Sequence, residues 1–210
     1  MLGAVPSRHP LASRTSGRGL LLGAALLGSA ASAASIACTP SGELVAVDGS
    51  RRMIARDPQT GISIVLTTGA WEGSPSDLDR NYTVIHALVA NMGPTPVRLA
   101  PGDLDFVDER GFRRQLLDVG GSFLRSGEVD RGYHPGRDLD YGRLEQPGDV
   151  NASALPWGTL APGTQMRGYL YFRRIDNNAN AATLTWHFFS DQNQPLVDLA
   201  FDFYVARTGA

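Results

Sequence analysis

"LVDLAFDFYVA", residues 196–206, alternates side chain by side chain. Val197, Leu199, Phe201, Phe203 and Val205 fall on one side, and Asp198, Ala200, Asp202 and Tyr204 on the other. A period of two rather than 3.6 marks a β-strand with one face in a core and the other largely in water. The same reading carries back through "ATLTWHFFS" (182–190) and "MRGYLYFRR" (166–174). Further upstream come "FRRQLL" (112–117), "LDFVD" (104–108), "TPVRLA" (95–100), "YTVIHALVAN" (82–91) and "ISIVLTTGA" (62–70). All are short runs bounded by Gly, Pro, Asn and Asp, as strands are.

The turns between them have their own chemistry. Asp108-Glu109-Arg110-Gly111 offers a four-residue hairpin whose glycine takes positive φ. Pro162-Gly163 fits the two central positions of a type II turn. Asn91-Met92-Gly93-Pro94 closes one strand before the next opens. About eight strands with frequent turns, and no amphipathic helix, predict an all-β chain folded as an antiparallel sandwich, with a closed barrel as the other architecture.

Apolar content of 42% and 8% aromatics describe a globular chain of 210 residues. A net charge of −2 predicts no strong attraction to nucleic acid or anionic lipid. All 19 basic residues are arginine, a uniformity that fits a GC-rich genome.

The N-terminus reads as a leader. Arg8, Arg14 and Arg18 precede any acid, "GLLLGAALLG" (19–28) is apolar, and "SAASAASIA" (29–37) is small. These are the three regions of a secretory signal, and the apolar run is short of the ~20 residues of a membrane span. Two cuts compete: one after Ala33, following Ala31-Ser32-Ala33, the other before Cys38. Cys38 is the chain's single cysteine, and a lone unpaired cysteine in an exported protein calls for an explanation. Ser35-Ile36-Ala37-Cys38 resembles the lipobox of bacterial lipoproteins, although Ser35 stands where that motif usually has Leu. By that resemblance the Cys38 sulfur is lipidated and ties the protein to a membrane, and two or three acyl chains at ~0.8 kcal/mol per methylene make a firm anchor. Thr39, rather than Asp, after the cysteine is compatible with an outer-membrane destination. The soluble alternative is a periplasmic or secreted protein. The expected organisation is a signal peptide over 1–37, a tether over 38–60 and a sandwich domain over 61–207. A long loop insertion rich in Gly and charge spans 118–155, and one or two short strands or a helical turn within it stay open. Loops of that length in a compact domain are functional or disordered.

Two stretches resemble a known family. "YTVIHALVANMGPTPVRLAPGDLDFVDERGFRR" (82–114) has an apolar strand ending in Asn, a polar turn with Pro, a second strand and an acidic-x-x-Gly hairpin. "LPWGTLAPGTQMRGYLYFRR" (155–174) has a Pro-Gly turn followed by Gly168, Leu170 and Phe172. Both are similar to a bacterial exported or lipoprotein domain of unknown function with an immunoglobulin-like fold. The resemblance covers about 62–206, with 118–155 departing from it. It implies an exported, often lipid-anchored sandwich and carries no catalytic residues.

No HExxH, CxxC or EF-hand pattern occurs, so no metal site and no cofactor is expected. Asp77 with Asp79, and Asp138 with Asp140, are paired carboxylates that read first as solvated loops. His86 and His187 lie on strands. Ser122 lacks a G-x-S-x-G elbow. Trp71, Trp157 and Trp186 fill or edge the core, the functional alternative being an aromatic platform for a glycan. Arg131, Tyr133, His134, Arg137 and Tyr141 combine aromatics with guanidinium groups in the insertion, a composition found at recognition surfaces. The expectation is a non-catalytic binding or structural module at the cell envelope. It would meet a membrane through acylated Cys38 and an envelope protein or glycan through its loops. The rival is a secreted hydrolase or metal-dependent enzyme working through His134 and neighbouring acids.

Overall fold

A computed structural model describes residues 43–119, 142–144, 149–175 and 178–207. The chain is mostly strand, in antiparallel sheets. One sheet has the order β10-β4-β3-β2, formed by β2 (Arg52–Arg56), β3 (Ile62–Thr68), β4 (Tyr82–Asn91) and β10 (Thr164–Arg173). The other runs β1-β12-β11-β5-β9, with β6 also on β11. It contains β1 (Glu43–Val45), β5 (Val97–Leu99), β6 (Leu104–Asp108), β9 (Gly158–Leu160), β11 (Ala181–Ser190) and β12 (Pro195–Ala206). β5 and β6 lie end to end along the same edge of β11, interrupted by the 3-10 turn Pro101–Asp103. At that break the buried Arg98 pairs with Asp103 at 2.6 Å and lies over the Phe189 ring.

The two sheets share one apolar core. Ile62, Ile64, Leu66, Ile85 and Val89 meet Phe106, Leu184, Trp186, Phe188, Phe201 and Phe203, all with almost no exposed surface. β12 behaves as its alternation predicts: Phe201 and Phe203 are buried, Val197, Leu199 and Val205 pack beside them, and Asp198 and Asp202 face outward. Fully burying each such side chain stabilises the fold by roughly 1.5–3 kcal/mol. The two apolar clusters of the described residues draw their members from residues 44–205, within the unit that begins at Cys38. Among the described residues no helix is long and apolar enough to cross a membrane.

The turns follow their chemistry. Gly163 has φ +74° and Thr164 N–H donates to the Ala161 carbonyl, the arrangement a type II turn needs. Gly111 has φ +84° and closes on the Asp108 carbonyl at 2.9 Å.

Two expectations change. The tether over 38–60 is, from Glu43 onward, part of the sandwich: β1 pairs with β12 in one sheet and β2 with β3 in the other. Leu44 and Met53 enter the core while their neighbours face out. Three to five alternating residues among Gly, Ser and Arg give too short a period to read locally. "FRRQLL" is not one strand either. It crosses from one sheet to the other, bridging β6 at Arg113 and β10 at Leu116 before β7 begins. β7 (Leu117–Val119) leads into the insertion, which supplies β8 (Gly142–Leu144), paired parallel to β7, and a helical turn α2 (Val150–Ser153).

Candidate functional site

The outward face of the four-stranded sheet divides into two halves. Pairing registers place Tyr82, Val84, His86, Tyr169 and Tyr171 on one of them. This half lies under a second apolar cluster, in which Val84 and Tyr171 meet Val119, Leu144 and Val150 from the insertion, Leu117 just before it, and Leu78 from α1 (Leu78–Asn81). Trp71 wedges in edge-on, 5.1 Å from Tyr169 and 6.0 Å from Tyr171 between ring centroids. Each polar tip finds a backbone carbonyl: Trp71 Nε1 donates to Pro75, Tyr169 Oη to Ala70 and Tyr171 Oη to Val150. Ser74 and Asp149 exchange bonds, Asp149 N–H to the Ser74 carbonyl and Ser74 N–H to the Asp149 carboxylate, both at 3.1 Å. The ends of the insertion are thus fastened to the sheet. A gap of about 10 Å³ beside Tyr169 and Leu155 has room for about one water and no larger ligand.

The environment shifts these groups. Burial, then the neighbouring Tyr169, pushes the Tyr171 phenol up, and burial, then Glu72, does the same to Tyr169. Burial, then the Arg167 charge, lowers His86, favouring the neutral imidazole that stacks edge-on with Tyr169 at 5.0 Å. Desolvated phenols and a neutral imidazole suit packing better than proton transfer.

Among the described residues no element covers the other half of this face. One row across the four strands is Ile54, Val65, Leu88 and Arg167. Flanking positions are Arg52, Arg56, Ser63 and Thr67. No Asp or Glu occupies any outward position of β2, β3, β4 or β10. The opposite face, on the six-stranded sheet, is acidic. Asp105, Asp198 and Asp202 stand there with Thr183 and Thr185. His187 lies between two carboxylates, Nδ1 at 2.9 Å from Asp198 and Nε2 at 3.5 Å from Asp105. Arg113 also pairs with Asp105, and Thr183 donates to Asp202 at 2.7 Å. Such a cluster orients an imidazole, but among the described residues no three His, Cys, Asp or Glu groups converge as a metal site.

Cys38, Ser122, Arg131, Tyr133, His134, Arg137, Asp138, Asp140 and Tyr141 lie outside the described residues. Asp77 and Asp79 are solvated at α1, as read. Trp186 fills the main core, Trp157 packs on its margin and Trp71 belongs to the second cluster. The charge contrast between the two faces escaped sequence reasoning. Its signal was available in Arg52 and Arg56, spaced four apart on a strand, and in Asp198 and Asp202 on another.

No family model matches the chain, and the comparison with curated proteins yields no match. Among solved structures it is similar to a candidate lipoprotein of Bacillus subtilis, with 10% identity and a TM-score of 0.38 over 74% of this chain and 39% of that one. It is also similar to the secreted protein MPT63 of Mycobacterium tuberculosis, with 10% identity and a TM-score of 0.34 over 71% of this chain and 93% of that one. The chain therefore spans about two fifths of the first.

Proposed function

We propose that this is an exported, lipid-anchored and non-catalytic immunoglobulin-like module of the bacterial envelope, whose insertion is its recognition element. The strand order supports the immunoglobulin-like part. β3-β4-β10 corresponds to A-B-E of that fold, and β6-β11-β12 to C-F-G, with β4 to β5 and β10 to β11 crossing between sheets. The leader and Cys38 support export and acylation. One observation carries the recognition role: both ends of the insertion are rooted on the sheet through an apolar cluster separate from the sandwich core. A segment mounted on a rigid scaffold is where binding residues concentrate. Arg131, Tyr133, His134, Arg137 and Tyr141 belong to that segment, and an envelope protein or glycan is the partner their composition fits.

Two measurements test this reading. The intact mass of the mature protein from the membrane fraction should start at Cys38 and include acyl chains; an unmodified start at Ala34 refutes the anchor. Deleting 120–141 should keep the domain folded and abolish retention of envelope proteins or glycan strands by the immobilised protein. Unchanged retention removes the insertion from recognition.

A further inference from the structure

We propose that the open half of the outward face of the four-stranded sheet is a docking surface for an anionic phospholipid bilayer. Ile54 is 65% exposed on edge strand β2 and continues inward through Val65 and Leu88 as a partly exposed apolar row. Arg52 and Arg56 flank this row on either side of Ile54 and Arg167 ends it, all three exposed. Among the described residues none of the three has a carboxylate within ion-pair distance, whereas Arg51, one residue away, is paired with Glu43. An apolar strip rimmed by arginines and free of acids is the composition of an interfacial membrane surface: the apolar side chains enter the headgroup boundary and the guanidinium groups meet lipid phosphates.

The opposite face decides the orientation. Asp198 and Asp202, beside an Asp105 already paired with Arg113, leave it net acidic and repulsive toward the same bilayer, so a chain with a net charge of only −2 still has one adhesive side. Segregated charge of this kind orients a molecule without changing its net attraction at long range. A second copy is the weaker occupant, because isologous pairing on this patch would bring its arginines against each other. The surface acts independently of Cys38 acylation, and its failure would leave the anchor untouched.

The test uses residues 38–210 carrying Cys38→Ser, so that no acyl chain contributes. Sedimentation with phosphatidylglycerol-rich vesicles should bring the protein down, and phosphatidylcholine vesicles should not. Each arginine near an anionic surface accounts for about a five-fold gain in partitioning, so Arg52→Gln with Arg167→Gln should weaken binding about 25-fold. Raising ionic strength from about 0.1 M to about 1 M, where the screening length falls from about 10 Å to about 3 Å, should release the protein. Ile54→Ser should weaken binding about three- to ten-fold at constant charge. Equal binding to both vesicle types, or undiminished binding by the arginine double variant, overturns the proposal. Binding that ignores Ile54→Ser and is matched by soluble polyglutamate overturns it in favour of an acidic polymer. Circular dichroism of each variant checks that the fold is kept.

Discussion

Asp108 shows how one side chain sets a turn. Its buried carboxylate accepts from the N–H groups of Phe112 and Arg110 and pairs with Arg114 at 2.5 Å and Arg110 at 3.1 Å. Burial alone would raise its pKa. The Phe112 N–H, then Arg114 and Arg110, outweigh this and bring it from 3.8 to about 2. A depressed carboxylate stabilises the fold above its unfolded pKa and loses that contribution as pH falls through the folded one. Asp108→Asn should therefore cost about 2 kcal/mol at pH 7, and the gap to the parent should close between about pH 4 and pH 2 in urea titrations. The hairpin itself was legible from Asp108 and Gly111; the two arginines that converge on the carboxylate were not, because Arg114 arrives after the turn. Gly168 is the other telling residue. A Cβ there would lie 2.5 Å from the backbone N and Cα of Leu155, where Leu155 N–H donates to the Tyr169 carbonyl. Gly168→Ala should cost about 1–3 kcal/mol by forcing the insertion's end off β10, read as a lowered denaturation midpoint.

At the scale of elements, Asn91 links three segments. Its fully buried amide donates to the Thr95 carbonyl at 2.8 Å and to Leu160 at 3.1 Å, and its oxygen accepts from Gly93 N–H at 3.0 Å. It therefore closes the β4–β5 turn and stitches that turn to β9. Asn91→Ala leaves these backbone groups unsatisfied, and urea unfolding should show a loss of about 2–4 kcal/mol. The sequence placed Asn91 at a strand end, but its partner Leu160 comes from a distant strand that no local pattern connects to it. β4 and β10 depart from the one-sided reading. The Tyr82–His86 part of β4 and the Tyr169–Tyr171 part of β10 carry a second cover on their outward face, built by the ends of the insertion together with Trp71 and Leu78.

The described residues form two cores, one between the sheets and one outside them. Their separation predicts separable opening. Trp71→Ala should loosen the second cluster alone, so that the amides of Asp149, Ser153 and Leu155 exchange faster with solvent while those of β11 keep their protection. Uniform acceleration across β11 would show a single cooperative unit instead. The two charged faces also belong to this scale, since each is assembled from strands far apart in the chain.

The sequence by itself determined the β class, the turn at Pro162-Gly163 and the wetted side of β12. These follow from side-chain period and backbone preference, which act over a few residues. Only the tertiary structure decided that β1 and β2 join the sandwich, that the insertion's ends roof one sheet, and that arginines gather on one face and aspartates on the other. Those outcomes depend on which strands pair across long stretches of chain, and pairing is fixed by shared burial in a common core rather than by any neighbour in sequence.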